Sequence, residues 1–457
     1  MRRCFGPVNR RQFMQVGSLA LGGLTLPQLL QAKEVSGTSK RRKSVIFLFQ
    51  HGGASQLETY DLKPDAPLEY RSCFSPIATK VPGMDLCEHL PLHAKISDKF
   101  SLVRSMHHDV DIHSDGGITV LTGKRPERLD PTSQSKSEHP CLGAVASHTL
   151  GVDQTFMPPY VMPPYVSIPS QIYMIRPAYL GVKHSPFASG NPAAPSYKPP
   201  HLSLPNGMTR DELKHRGELV SKLDQFRSDI DATQNLKGIE EFRELALQML
   251  TSPETARAFD LSLESDRTHD SYGRHEWGQS CLLARRLAEA GTAVTTIYLN
   301  VPKNDAKYTN WDDHILNAGQ PGHFAEYMER RLPYMDQAVT ALVEDIFDRG
   351  LQEEIMVVAV GEFGRTPRLR SNSSGTGRDH WPGAYTAFIS GGGLKMGQVV
   401  GATNSKAEYP IEAPYTPQDL LATIYRHIGI DWEQNLIDHS GRPVPILSSG
   451  KPITELI

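Results

Sequence analysis

Cysteine is scarce in this sequence. Five occur in 457 residues, Cys4, Cys73, Cys87, Cys141 and Cys281, and none stand in a C-x-x-C pair. That argues against a thiolate zinc site, which needs closely spaced ligands. Leaving out Cys4, which falls in the leader described below, four cysteines allow three disulfide connectivities. Buried free thiols are an equally good reading in a chain of this size. Long hydrophobic runs are missing too. Beyond the first 32 residues no segment offers the ~20 consecutive apolar residues that a bilayer span requires. Basic charge is in short supply: the whole chain carries -3, and residues 33–457 carry 44 basic against 51 acidic side chains, about -7. Without clustered Lys and Arg to neutralise phosphates, nucleic-acid binding is not expected. Several catalytic signatures are also missing: there is no G-x-S-x-G elbow, P-loop, H-E-x-x-H or strand-linked G-x-G-x-x-G. Gly391-Gly392-Gly393 follows a strand-like run but lacks nucleotide-binding spacing and reads as a turn.

What is present begins at the amino terminus. Asn9-Arg10-Arg11-Gln12-Phe13-Met14-Gln15 is a twin-arginine pattern, followed by a weakly apolar stretch over 16–30 and a candidate cleavage site at Leu30-Gln31-Ala32. Residues 1–32 are therefore expected to be a signal peptide, read by the Tat export machinery and outside the fold. A periplasmic or secreted protein follows from that reading, with no membrane span in the mature chain.

Hydrophobic patterning in residues 33–457 alternates strands with helices. Buried strands are expected at 44–49, 100–104, 292–299, 354–360 and 385–390, because these runs are short, apolar and bounded by turn residues. Helices are expected at 273–290, 322–349 and 417–428, ending at Gly291, Gly350 and Gly429. This alternation predicts an α/β fold with a mainly parallel central sheet and helices on both faces. Residues 157–205 hold 12 prolines, a density that forbids regular helix. They are expected to form an irregular excursion over one face of the sheet. Residues 209–250 read as a solvated helical insert.

In open α/β sheets ligands bind beyond the carboxyl ends of strands, and four such ends carry unusual residues. His51-Gly52-Gly53 follows the first strand; His51 is a candidate metal ligand or anion donor, or a plain histidine in a glycine turn. The stretch 107–115 holds three histidines and three aspartates, ligand types that suit zinc, manganese or iron. Within it, Ser114 beside His113 is a candidate nucleophile with its base. Trp311-Asp312-Asp313-His314 places Asp312 and His314 two apart, where both reach one centre from an extended segment; a capping Asp with a packed Trp is the other reading. Gly361-Glu362-Phe363-Gly364-Arg365 follows a buried strand and precedes Asp379-His380. Its groups suit metal binding plus anion recognition by Arg365, or a structural Glu362–Arg365 salt bridge.

Taken in order, Phe49-Gln50-His51-Gly52-Gly53-Ala54-Ser55, Val103-Arg104-Ser105-Met106, Leu121-Thr122-Gly123, the 284–291 segment, Trp311-Asp312-Asp313-His314, Gly361-Glu362-Phe363-Gly364-Arg365-Thr366-Pro367 and Gly377-Arg378-Asp379-His380-Trp381-Pro382 resemble the bacterial domain-of-unknown-function family 1501. The resemblance covers nearly the whole chain after the leader. It implies a fold like that of the alkaline phosphatase and sulfatase superfamily. Carried over by position, Asp312 and His314 resemble that superfamily's metal-binding Asp/His pair, Glu362 stands for its strand-end Asp, and His380 for its last His. Departures are specific. The first strand ends in Gln50-His51 instead of Asp, Phe363 replaces a ligand His, and the sulfatase C-x-P-x-R signature is absent, so formylglycine chemistry is not implied.

The expectation is an exported, metal-assisted hydrolase of phosphate or sulfate esters, its substrate an anionic small molecule or a polysaccharide ester. A divalent ion (zinc, manganese, iron or calcium) would sit at Asp312, His314, Glu362, His380 and His51. Arg365 would pair with the substrate anion, Ser114 would attack and His113 would act as base. The rival expectation is a non-catalytic binding or assembly protein on the same scaffold.

Overall fold

In the first strand, β1 (Ser44–Phe49), every residue is buried. Its side chains alternate between two cores: Val45, Phe47 and Phe49 pack on one face of the sheet and Ile46 and Leu48 on the other. That is the period-two geometry of a strand covered on both sides. The computed structural model describes residues 42–152, 157–164, 174–199, 202, 212, 247–302, 310–317 and 320–457. The twin-arginine leader and most of the expected 209–250 helix lie outside the described residues.

After β1 the main elements are β2 (Phe100–Met106), α1 (His113–Thr122), α2 (Leu142–Leu150), β3 (Tyr160–Met162) and β4 (Phe187–Ala188). Then come α3 (Glu276–Glu289), β5 (Val294–Tyr298), α4 (Phe324–Asp348), β6 (Ile355–Val360), β7 (Gly364–Arg365), β8 (His380–Trp381), β9 (Tyr385–Gly391), β10 (Val399–Val400) and α5 (Pro417–Ile428). Eight strands form one sheet in the order β10-β2-β9-β6-β1-β5-β3-β4. β1 pairs in parallel with β5 and β6, and β3 in parallel with β5 and β4. Only β9 runs against its neighbours β6 and β2. The fold is thus α/β with a mainly parallel sheet, as the patterning implied. α3 and α4 cover the face that holds Ile46 and Leu48, while α1, α2 and α5 cover the other. Burying each large apolar side chain stabilises by about 1.5–3 kcal/mol, so the two cores dominate the fold's stability.

Local signals explain the helix ends. At the start of α5, Asp419 Oδ2 accepts the Thr416 N–H at 2.8 Å, and Gly429 ends the helix at φ +77. The proline-rich stretch departs from expectation. Two of its segments, β3 and β4, extend the main sheet at one edge, so it builds the sheet as well as crossing the surface. Extended backbone suits prolines at the margins of short edge strands. Cys73, Cys87, Cys141 and Cys281 are all free thiols. Among the described residues no helix is long and apolar enough to cross a membrane.

Candidate metal centre

The carboxyl ends of β1, β2, β5 and β6 point to one end of the sheet, and their loops bring seven polar side chains together there. His51 follows β1, His113 opens α1 after β2, Asp312 and His314 lie on the connection after β5, and Glu362 follows β6. His380 comes from β8, which pairs with β7 so that Arg365 stands opposite it. The chain can approach this closely only where side chains are missing. Gly52 has φ +108, and a Cβ on it would lie 2.3 Å from the Asp312 nitrogen. A Cβ on Gly377 would lie 2.2 Å from the His314 carbonyl carbon. Both positions bring segments of the cluster into contact.

The 311–314 segment is extended, and its side chains alternate. Trp311 and Asp313 turn inward. Trp311 stacks on Trp277 with centroids 5.7 Å apart and donates its indole N–H to the Leu299 carbonyl at 2.9 Å. Asp313 pairs with the buried Arg331, Nη2 to Oδ1 3.0 Å. Asp312 and His314 turn to the cluster. The packed Trp of one sequence reading is present, with Asp313 ion-paired instead of capping, while Asp312 and His314, the expected ligands, share the other face.

Around Asp312 the distances are short. Its Oδ1 lies 2.7 Å from His314 Nε2 and 3.1 Å from His380 Nε2, and the two Nε2 atoms are 3.0 Å apart. Its Oδ2 lies 3.3 Å from His113 Nε2. His113 reaches the other way to Glu362, Nδ1 to Oε1 2.7 Å. His51 Nε2 is 4.0 Å from the same Glu362 oxygen, and its ring stacks on Tyr298 at 4.9 Å. The donor atoms form two groups joined by His113: His113, Asp312, His314 and His380 on one side, and His51, His113 and Glu362 on the other. The five expected metal ligands are therefore neighbours, but not all around one point.

Electrostatics follow from this crowding. Burial would lower the pKa of His113, but its bonds to Asp312 and Glu362 outweigh burial and push it up to about 9. Burial would raise the Asp312 carboxyl, but Arg365 and the three imidazoles hold it well below the usual range. Glu362 is likewise lowered against its burial, chiefly by His51 and His113. His51 and His380 go the other way: burial lowers both despite their carboxylate neighbours.

Three expectations need correction. Ser114 does not face His113. Its hydroxyl donates to Asp115 Oδ2 at 2.9 Å and accepts the Ser135 N–H at 3.3 Å, inside a buried network. Consecutive residues of α1 point about 100° apart, so a side chain next to His113 in sequence leaves the site. His113 is not placed as a base for Ser114, because both its nitrogens address carboxylates. Arg365 is not free to grip a substrate. It is fully buried, and it donates to the carbonyls of Gly52, Gly53 (2.9 Å), Trp311 (3.2 Å) and Arg378 (3.2 Å) and to Asp312 Oδ1 (2.7 Å). The alternative reading, a Glu362–Arg365 salt bridge, gives way to an Asp312–Arg365 pair.

Other residues of the strand-end segments support the site. Asp111 accepts His380 Nδ1–H through its backbone oxygen at 2.7 Å, and Asp379 lies 3.2 Å from His314 Nδ1. His108 Nε2 holds the Glu362 carbonyl at 2.6 Å, and Gly52 N–H donates to Glu362 Oε1 at 2.8 Å. Phe363, in the position where a ligand histidine was looked for, packs its ring against His380 (4.4 Å) and His113 (5.2 Å), walling the cluster from the core.

The family model described as "Protein of unknown function (DUF1501)" matches residues 42–457. No curated protein matches the chain in sequence. Among solved structures the chain is similar to a sulfatase from Pseudoalteromonas sp. (10% identity, 88% of this chain and 70% of that one, TM-score 0.38). It is also similar to the lipoteichoic acid synthase of Listeria monocytogenes (10%, 89% and 74%, 0.39) and to a phosphonate monoester hydrolase from Silicibacter pomeroyi (10%, 91% and 76%, 0.36). At such identity these are likenesses of shape and assign this chain no reaction.

Proposed function

The chain belongs to the DUF1501 family, a kinship that carries no reaction with it, and we propose that it is a metal-assisted hydrolase of phosphate or sulfate esters, exported by the Tat route. The observation that carries this reading is the meeting of His314, His380 and Asp312. His380 Nδ1 sits 2.7 Å from a carbonyl oxygen, which only accepts, so that nitrogen bears the ring proton. His314 Nδ1 sits 3.2 Å from a carboxylate oxygen of Asp379 and bears its proton for the same reason. Each ring then turns its Nε2 toward Asp312 Oδ1, where an Nε2 without a proton would offer its lone pair to a cation. The two Nε2 atoms, 3.0 Å apart beside an anionic oxygen, need a positive charge between them, which a divalent ion or a shared proton would supply. Oxygens that accept from the outer nitrogen of a histidine in this way are a recurring feature of metal sites.

The donor set fits a divalent ion. Imidazole and carboxylate suit zinc, manganese or iron, and donors about 2.0–2.2 Å from a metal lie within roughly 4 Å of one another. Asp312, His314 and His380 would hold the ion, with His113 as the fourth neighbour. Glu362 offers a buried Oε2 that has no partner among the described residues, and with His51 it forms the adjoining half of the site. Bound there, a divalent cation supplies Lewis-acid polarisation of an ester oxygen. Arg365 anchors Asp312 and the loop over 51–53, acting as a positioning residue. His113, held between Asp312 and Glu362, joins the two halves of the site and sets the spacing of their carboxylates. Ser114 takes no part in the reaction. The substrate is an anionic small molecule or a polysaccharide carrying such esters.

A second reading, a non-catalytic binding protein, draws support from the Arg365 contact, which already neutralises part of Asp312 without any metal. Elemental analysis of the purified protein beside a His380→Ala variant separates the two. At least one equivalent of metal, lost in the variant together with hydrolysis of a phosphate or sulfate ester panel, supports the hydrolase. A folded protein that takes up no metal when metals are added would overturn it in favour of the binding reading.

A further inference from the structure

The buried arginines of this fold are consistently paired. Arg378 donates to Glu58 at 3.0 Å and to three backbone carbonyls; Arg331 holds Asp313; Arg285 holds Glu264 at 2.8 Å; Arg365 holds Asp312. Arg104, less buried than these, has no such pair. It belongs to the Val103-Arg104-Ser105-Met106 segment, near the carboxyl end of β2, and it is partly buried. Its one hydrogen bond among the described residues runs from Nη2 to the backbone carbonyl of Asp85 at 3.1 Å. Its Nε is enclosed without a partner, and no carboxylate forms an ion pair with it among the described residues. Burial pulls its pKa down against the pull of the more distant Asp61 and Asp85, although a guanidinium stays charged in any protein setting.

Arg104 lines a cleft of about 310 Å³ together with Asp61, Lys63, Asp85 and Ser405. The charges of that cleft do not cancel at Arg104. Asp61 is committed elsewhere: Oδ1 lies 3.0 Å from Lys63 Nζ, and Oδ2 accepts the Thr403 hydroxyl at 2.5 Å. Lys63 and Asp61 therefore neutralise each other. Asp65 and Asp85 are exposed at the rim, where water and salt screen them. What remains at the cleft wall is one guanidinium that no carboxylate among the described residues pairs, beside a space large enough for a small group. A charge held partly out of water is costly unless paired, and a guanidinium matches the two oxygens of an oxyanion.

We infer that the cleft around Arg104 is a second oxyanion site, separate from the metal cluster, which takes a sulfate or carboxylate group. The group comes either from a free ion or from an anionic substituent on a longer substrate. Because the cleft shares no residue with the cluster, the inference stands or falls independently of the proposed hydrolase activity.

Isothermal titration with sodium sulfate tests it, using sodium chloride of equal ionic strength as the blank. The wild type and His380→Ala should bind sulfate alike. Arg104→Met, which keeps the aliphatic stem and removes the charge, should bind at least tenfold more weakly. Ser405→Glu sets a carboxylate at the exposed mouth without disturbing packing, and should weaken binding in the same direction; it decides the matter alone where Arg104→Met does not fold. A sulfated oligosaccharide that binds more tightly than the ion places the group on a substrate chain, whereas equal affinity assigns the cleft to a free anion, and both support the site. Unchanged sulfate affinity in Arg104→Met, or in Ser405→Glu where that variant stands alone, would overturn it.

Discussion

Replacing Arg365 by methionine is the sharpest test of how the metal centre is held. The guanidinium is fully buried and bridges three segments of the site. It is ion-paired to Asp312 Oδ1 at 2.7 Å, and it satisfies the carbonyls of Gly53 at 2.9 Å, Arg378 and Trp311 at 3.2 Å and Gly52. Methionine fills a similar volume but donates nothing. Removing one partner of a buried ion pair costs about 3–5 kcal/mol, and each enclosed carbonyl left without a donor adds about 1–3 kcal/mol unless water reaches it. The lower figure is the safer expectation, since Asp312 keeps His314 and His380 as neighbours. With an unfolding entropy of about 2.1 cal/mol/K per residue, a unit spanning Arg42–Ile457 would lose roughly 3–6 °C in Tm. Arg365→Lys restores the charge but reaches only one or two of the five acceptors, so its loss should fall between those of the wild type and Arg365→Met. Calorimetric scans of the three proteins, stripped of metal, make the comparison. A methionine variant that melts within about 1 °C of the wild type, or no lower than the lysine variant, would refute the view that Arg365 is a structural anchor and reopen a role in binding substrate.

Two further outcomes follow from the geometry. Asp379→Ala removes the acceptor that orients His314 Nδ1; metal affinity, read by competition with a chelator, should fall about 10–100-fold, while Tm of the metal-free protein stays close to that of the wild type. His427, on α5 beside the start of β1, hydrogen-bonds the Ser44 and Glu354 carbonyls at 3.1 and 3.2 Å, and burial, with Lys43, pulls its pKa down from 6.5 to about 4. The unfolded chain then binds a proton that the fold refuses, so stability is undiminished above pH 6.5 and is lost as pH falls from 6.5 to 4. His427→Gln should flatten that part of the urea-midpoint profile by up to about 3 kcal/mol; a profile parallel to the wild type's would show that other groups carry the acid sensitivity.

The central sheet was legible because its strands are short apolar runs buried on both faces, a pattern with few other solutions. Ser44–Phe49 and Ile355–Val360 appear within a residue of where the periodicity placed them, as does the helix Pro417–Ile428. The helix His113–Thr122 was not legible. Its second turn contains Gly116 and Gly117, residues with poor helix propensity. They are tolerated because Phe363 and Met174 pack where their side chains would be. Missing that helix is also what misplaced Ser114. In a loop, Ser114 and His113 can turn to one centre, but on a helix they diverge.

The residues alone determined which side chains are chemically able to form a site, and that they would gather at the strand ends. His51, His113, Asp312, His314, Glu362 and His380 all meet there, because a parallel sheet delivers every loop after a strand to the same edge. What each side chain does was decided only in three dimensions. Arg365 and Arg104 are the same residue type near the ends of buried strands. Packing surrounds one with four carbonyls and a carboxylate and leaves the other with a single carbonyl and an open cleft. Composition and spacing do not encode that difference, because pairing depends on contacts between segments from 13 to 313 positions apart, which exist only once the chain has folded.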